Sequence, residues 1–259
     1  MNKTFRFLIL AALVLIAAAF VLAPPARGAD FSEASRPNAL TGRLERFLGL
    51  PFRVDGALDN QGRWVTFQHP DQVAGQAGFN CSGFTVAAAR ELFGRDIDLG
   101  QITRDRRGDS GPGAPLGQDW DFGLDLILNL AEGHPHRLLP EPEDLEAPPY
   151  IALSPRRSLG WGVSLHGPEF EEVLGRLQPG RLGFFVFSRP DGRFPAGVAY
   201  YHVGLIIPEG QALWLYHTTA GAKTHRLNLN DPQSLARLRR HFQPIKNGER
   251  RVFIVEVQL

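Results

Sequence analysis

Gly78-Phe79-Asn80-Cys81-Ser82-Gly83-Phe84 decides how this chain is read, and it runs directly into Thr85-Val86-Ala87-Ala88-Ala89-Arg90-Glu91-Leu92-Phe93. Ser82-Gly83 followed by an alanine-rich run predicts a loop turning into a helix, which Gly94 closes. Cys81 is the only cysteine in 259 residues, and this reading puts it at a helix N-terminus. Unpaired N–H groups and the helix dipole there favour a thiolate, the nucleophilic form of the side chain. A second reading stays open at this point. Cys81, Phe84, Ala88 and Leu92 share one helical face, and a free cysteine on such a face also serves as a small buried hydrophobe.

Upstream, Lys3 and Arg6 precede an apolar run from Phe7 to Leu22, and Ala23-Pro24-Pro25-Ala26-Arg27-Gly28 follows. A charged start, an apolar middle and small residues before a break predict an export signal over residues 1–28, cleaved near Gly28. The run is shorter than the ~20 residues that span a bilayer comfortably. Membrane attachment is therefore expected only if the leader stays uncleaved, and the chain is expected to be periplasmic or extracellular. An unpaired thiol in an oxidising compartment is unusual, which favours a reactive Cys81. With 28 basic and 27 acidic residues, the composition excludes a typical nucleic-acid binder.

Residues 29–259 are read as one domain. Leu40, Leu44, Phe47 and Leu48 recur at helical spacing, Pro51 to Gly56 reads as a turn, and Arg63 to Phe67 alternates like a strand. From about residue 95 to 166 glycine and proline are frequent, interrupted by a helix-like patch from Phe122 to Leu130. A structureless loop of that length is improbable, so the stretch is read as an insertion with some structure of its own, with Trp120 and Trp161 as packing anchors. Beyond it the pattern predicts a helix over Pro168–Leu177, strands over Leu182–Phe187, Tyr201–Ile207 and Ala212–His217, a basic helix from Asp231-Pro232 to about Phe242, and a closing strand over Val252–Val257.

A cysteine nucleophile needs a base and a group to orient that base. His202 begins an apolar strand, where a histidine is otherwise out of place, and His217 ends the next strand one hairpin away. His217 could hold the His202 imidazole in one tautomer; two strand-end histidines satisfied by local backbone is the alternative.

In order along the chain, Gly49-Leu50-Pro51-Phe52-Arg53, Asn80-Cys81-Ser82-Gly83-Phe84, Leu177-Gln178-Pro179-Gly180 with Phe184-Phe185, His202-Val203-Gly204 and Tyr216-His217 resemble the motifs of the NlpC/P60 cysteine peptidases. The resemblance covers Leu40–Phe93 and Phe170–Gly221. It implies a papain-like α+β fold with a nucleophile helix packed on an antiparallel sheet. It also implies Cys81 as nucleophile, His202 as base and His217 as orienting residue, with Asn80, Ser82 and Phe52 beside the substrate. The implied activity is cleavage of peptidoglycan stem peptides at the D-γ-glutamyl-diamino-acid bond, with peptidoglycan or muropeptide as partner and no cofactor or metal. The chain departs from the family at Asn80, where the usual residue is Asp, at Phe52 for Tyr, and at Arg181 for the Asp after the Pro-Gly turn. The stretch between Cys81 and His202 is also unusually long.

Other readings compete. Glu132, His134 and His136 are a conceivable metal cluster, although no H-E-x-x-H or paired-cysteine spacing accompanies them. Arg104, Arg106 and Arg107, and Arg237, Arg239 and Arg240, read as solvated basic surface or as contacts to acidic envelope polymers. A papain-like domain kept to bind cell-wall peptide or a protein partner, and an amidase or acyltransferase on another substrate, are the functional alternatives.

Overall fold

Arg181 to Pro190 forms the central strand, and its run of apolar residues follows from burial on both faces. Leu182, Phe184 and Val186 point into one apolar cluster, Phe185 and Phe187 into a second on the other side. The computed structural model describes residues 40–106, 119–141, 162–194, 197–244 and 248–259, all within one compact unit, Asn38–Leu259. The leader predicted at 1–28, Trp161 and Arg107 lie outside the described residues.

The elements in chain order begin with α1 (Leu40–Leu44), continued by a 3-10 turn over Glu45–Phe47. A small hairpin of β1 (Gly56–Leu58) and β2 (Trp64–Thr66) follows. Next come α2 (Cys81–Phe93), α3 (Leu99–Ile102), α4 (Phe122–Ala131), β3 (His136–Leu139) and β4 (Val163–Ser164). The remainder is α5 (Glu169–Gly175), β5 (Arg181–Pro190), β6 (Val198–Glu209), β7 (Ala212–His217), β8 (His225–Asn228), α6 (Pro232–His241) and β9 (Arg251–Gln258). The large sheet has the order β3-β9-β5-β6-β7-β8, with β4 also on β9, and every pairing is antiparallel. The fold is therefore mixed α+β on an antiparallel sheet.

Helices α2 and α4 cover one face of this sheet, with Phe84, Ala88, Leu92, Leu126, Ile127 and Leu130 in the first cluster. Each Phe, Leu or Ile side chain among these contributes about 1.5–3 kcal/mol when fully buried. Helices α5 and α6 cover the other face through Phe170, Val173, Leu235 and Leu238. Gly83 is required by close approach: a Cβ there would stand 2.2 Å from the carbonyl oxygen of Gly56. Gly94 ends α2 in the left-handed region at φ 63°, the usual helix stop.

The stretch read as an insertion is structured in its described parts, and those parts belong to the main fold. α4 packs in the first cluster, and β3 and β4 extend the sheet at β9. Trp120 is buried beside Tyr200, and its carbonyl accepts the Tyr200 N–H at 2.7 Å. The turn predicted over Pro51–Gly56 ends one residue earlier, because Gly56 already pairs with Thr66. Arg181 finds its partner in buried Glu256, 3.7 Å away, beside Arg137 at 2.6 Å. Among the described residues no helix is long and apolar enough to cross a membrane.

Candidate active site

Asn80 starts the site. Its side-chain oxygen accepts the Gly83 N–H at 2.6 Å, capping α2, and its amide donates to the Val54 carbonyl at 3.2 Å. The second bond accounts for an amide at this position, since an ionised carboxylate has no hydrogen to give that carbonyl. Cys81 is the first residue of α2 and retains some exposed surface.

The sulfur lies against backbone. The N–H groups of Val203, Ser82 and Cys81 and the Ser82 hydroxyl favour its charged form, but burial outweighs them and pushes the Cys81 thiol up. This corrects the expectation of a resting thiolate: the helix terminus acts on a desolvated sulfur, and desolvation is the larger effect.

His202 lies on β6 and His217 at the end of β7, and the pairing of Leu205 with Tyr216 brings the two rings together. His202 Nε2 is 3.1 Å from His217 Nδ1. Both residues are buried, and Phe185, Phe187 and Phe242 surround the His202 ring at centroid distances of 6.0, 5.6 and 4.9 Å. Burial is the first cause that pulls the His202 pKa down to about 3, with the charges of His241, Arg250 and His225 adding to it. Burial likewise holds His217 well below its usual range, followed by His202, His225, His241 and Arg237. Both rings are neutral at pH 7.

Among the described residues no hydrogen bond joins the Cys81 sulfur to either ring. Val203 packs in the first cluster with Cys81, whereas the neighbouring His202 ring sits among aromatics of the second. Of this strand it is the Val203 N–H that faces the sulfur, while the ring of the preceding residue, His202, packs among the aromatics of the second cluster. β6 is irregular there: Phe187 pairs with His202 and Ser188 with Tyr200, leaving Tyr201 as a bulge. The Tyr201 hydroxyl accepts a hydrogen bond from Arg250, and the Arg189 guanidinium lies 4.6 Å from the centre of its ring. Burial pushes the Tyr201 hydroxyl up to about 12 despite these two arginines.

A cavity of about 270 Å³ opens beside the start of α2, lined among others by Asn80, Ser82, Val203, Tyr201, Arg189 and Arg193. Of the three residues expected beside substrate, Asn80 and Ser82 line it. Phe52 does not; its backbone bridges to Phe79 and donates to the Ala222 carbonyl at 3.2 Å.

Sequence reasoning missed His225, whose Nε2 is 2.9 Å from His217 Nε2 and which pairs directly with His217 across β7 and β8. The strand holding it, His225-Arg226-Leu227-Asn228, is too short and polar to announce itself, and the available signal was a third histidine one turn after His217. Tyr201 and Arg189 were missed because a bulge has no period.

The residues weighed as a metal cluster serve elsewhere. Glu132 is paired with Arg104 at 3.0 Å, His134 stacks on Phe93 at 4.2 Å, and His136 Nδ1 lies 2.9 Å from the His134 carbonyl. Among the described residues no group of three His, Cys, Asp or Glu side chains is arranged to hold a metal ion. The basic clusters are partly engaged as well: Arg106 donates to Asn129 at 2.9 Å, and Arg239 to the Leu165 carbonyl at 2.9 Å and to Glu171 at 3.0 Å.

No family model, curated protein or solved structure matches the chain.

Proposed function

We propose that this chain is an exported cysteine hydrolase of papain-like, NlpC/P60-type architecture that cleaves amide bonds in peptidoglycan stem peptides at the γ-glutamyl-diamino-acid bond. The observation that supports this best is the junction of a lone cysteine at a capped helix start with a neutral histidine pair, the two linked through adjacent residues of β6 beside a cavity.

In this mechanism His202 Nδ1 takes the Cys81 proton as the sulfur attacks the amide carbonyl. The Cys81 backbone N–H, at the helix start, stabilises the oxyanion. The carbon–nitrogen bond then breaks, His202 gives its proton to the departing amine, and water releases the acyl group from sulfur. Neutral thiol and neutral imidazole form the resting pair, so charge separates only when substrate has displaced water. Arg189 and Arg193 line the cavity with their guanidinium groups paired to Asp191 at 3.4 and 2.6 Å. Asn80 supplies no negative charge for a substrate amine.

Digestion of purified peptidoglycan, with soluble products identified by mass, tests the proposal. New γ-glutamyl carboxyl ends are expected; intact stem peptides after prolonged digestion would refute it. The raised thiol pKa favours a second reading, a papain-like domain that binds cell-wall peptide without turnover. Slow alkylation of Cys81 together with retained muropeptide binding would select that reading.

A further inference from the structure

The three histidines at the sheet end form a series. His202 Nε2 lies 3.1 Å from His217 Nδ1, His217 Nε2 lies 2.9 Å from His225 Nε2, and His225 Nδ1 lies 2.7 Å from the Lys223 carbonyl oxygen. Each ring nitrogen in the series faces the next, so the rings are joined end to end. His202 and His217 are buried, while His225 is half-buried and reaches the surface.

We infer that His225 is a positioning residue: held by the Lys223 carbonyl, it sets through His217 the tautomer of His202 that leaves Nδ1 free to take the Cys81 proton. This rests on the roles proposed above for Cys81 and His202. The derivation starts at the surface. A carbonyl oxygen only accepts, so His225 Nδ1 bears the hydrogen. A neutral imidazole has one N–H, so His225 Nε2 accepts and His217 Nε2 must donate to it. His217 Nδ1 then accepts, and His202 Nε2 donates. The one nitrogen left with a lone pair is His202 Nδ1, on the residue that precedes Val203 in β6, and the Val203 N–H faces the Cys81 sulfur.

Without the Lys223 carbonyl the opposite order of hydrogens would be equally good, and it would place N–H on His202 Nδ1, where no proton can be accepted. The series also balances the proton taken during catalysis. As His202 Nδ1 gains the thiol proton, His202 Nε2 passes its own to His217 Nδ1, and His217 Nε2 passes its own to His225 Nε2. The added charge then rests at the exposed end. The charged and titratable groups facing the series are His241, Arg250, Arg237, Lys223 and Tyr201, and the rest of its surroundings are Phe185, Phe187 and Phe242. The cations among these groups disfavour a charge kept on the buried rings.

The test is nitrogen NMR of the imidazoles in the full-length Cys81→Ala protein near pH 7.5, combined with iodoacetamide alkylation of Cys81 across pH in the parent, His225→Phe and His225→Gln proteins. Nε2–H is expected on His202 and His217 and Nδ1–H on His225. His225→Phe should slow alkylation at neutral pH on the order of tenfold or more, as a base in the wrong tautomer does. His225→Gln, which still offers an acceptor to His217, should recover much of the rate. Nδ1–H on His202 at neutral pH, or a parental pH profile in both variants, would overturn the inference. The NMR readout needs no substrate and does not depend on the folding of the His225 variants. A parent with the expected tautomers that leaves peptidoglycan intact would support this inference while refuting the peptidase reading.

Discussion

His202 Nε2 sits 3.1 Å from His217 Nδ1, and that contact engages one of the two ring nitrogens of His202. With Nε2 engaged by His217, the mechanism proposed above has only Nδ1 left on His202 to take the thiol proton.

The roles of the three residues separate by the size of their loss. Cys81→Ala should abolish hydrolysis while staying folded, since a small residue replaces a small one at the helix start. His202→Ala should lose nearly as much, because the thiol loses its proton acceptor and the leaving amine its donor. His217→Ala should lose less in kcat than either, and the Cys81 and His202 double variant should be hardly worse than one alone, because groups acting as a unit are not additive. Steady-state kinetics on muropeptides, with circular dichroism to verify folding, measures all four.

Much of this site was legible in the chain. Cys81 at a helix start followed from Ser82-Gly83 and the alanine run, and Ala212–His217 follows its predicted bounds because alternation and the Pro208-Glu209-Gly210 turn both mark it. What could not be read was set by tertiary burial. The same helix start that promises a thiolate on paper holds a partly buried cysteine packed against the first cluster, and burial pushes its thiol up. His225 and the Tyr201 bulge depend on register between strands, which a single sequence does not display. Within 95 to 166 the frequent glycines and prolines give no sign that the helix Phe122–Ala131 packs in the core.

Asn80 should be replaceable by Asp only at a chemical cost. Asn80→Asp keeps the acceptor for Gly83 but loses the donor to Val54 and sets a negative charge beside the sulfur. Stability should change by about 1 kcal/mol or less, while Cys81 alkylation at neutral pH should slow as the thiol pKa rises further. Asn80→Ala should cost ~1 kcal/mol by urea titration through loss of the cap. Faster alkylation in the Asp variant would contradict this account.

Acid should destabilise the fold through the buried rings. Folded-state pKa values of His202 and His217 lie below the ordinary value of 6.5, so the unfolded chain binds more protons as pH falls below it. Their contribution is complete above about pH 6.5 and is lost progressively as pH drops toward about 3. Asp125, raised to about 6 chiefly by burial, acts in the opposite sense between its ordinary value of 3.8 and that pH, and offsets part of the loss. Thermal midpoints measured from pH 7 to 4 should fall, and a His202→Gln and His217→Gln double variant should show a flatter decline.

Glu256 should be among the most sensitive positions outside the site. It is fully buried, accepts the Gln178 N–H at 2.6 Å, and is paired with Arg137 at 2.6 Å and Arg181 at 3.7 Å. Glu256→Ala should cost about 3 kcal/mol or more by leaving those donors without their acceptor. Glu256→Gln, which keeps an oxygen for one of them, should cost less. Equal stability of the Ala and Gln variants by urea titration would show that the ion pairs add nothing beyond the space they fill.

The covalent step is open to direct observation. Protein mixed with muropeptides and quenched in acid during turnover should show, by intact mass, a fraction increased by the mass of the acyl fragment, with the adduct mapping to the peptide that contains Cys81. The Cys81→Ala protein should show neither adduct nor hydrolysis. Hydrolysis by the parent without any adduct, continued undiminished in Cys81→Ala, would contradict the account.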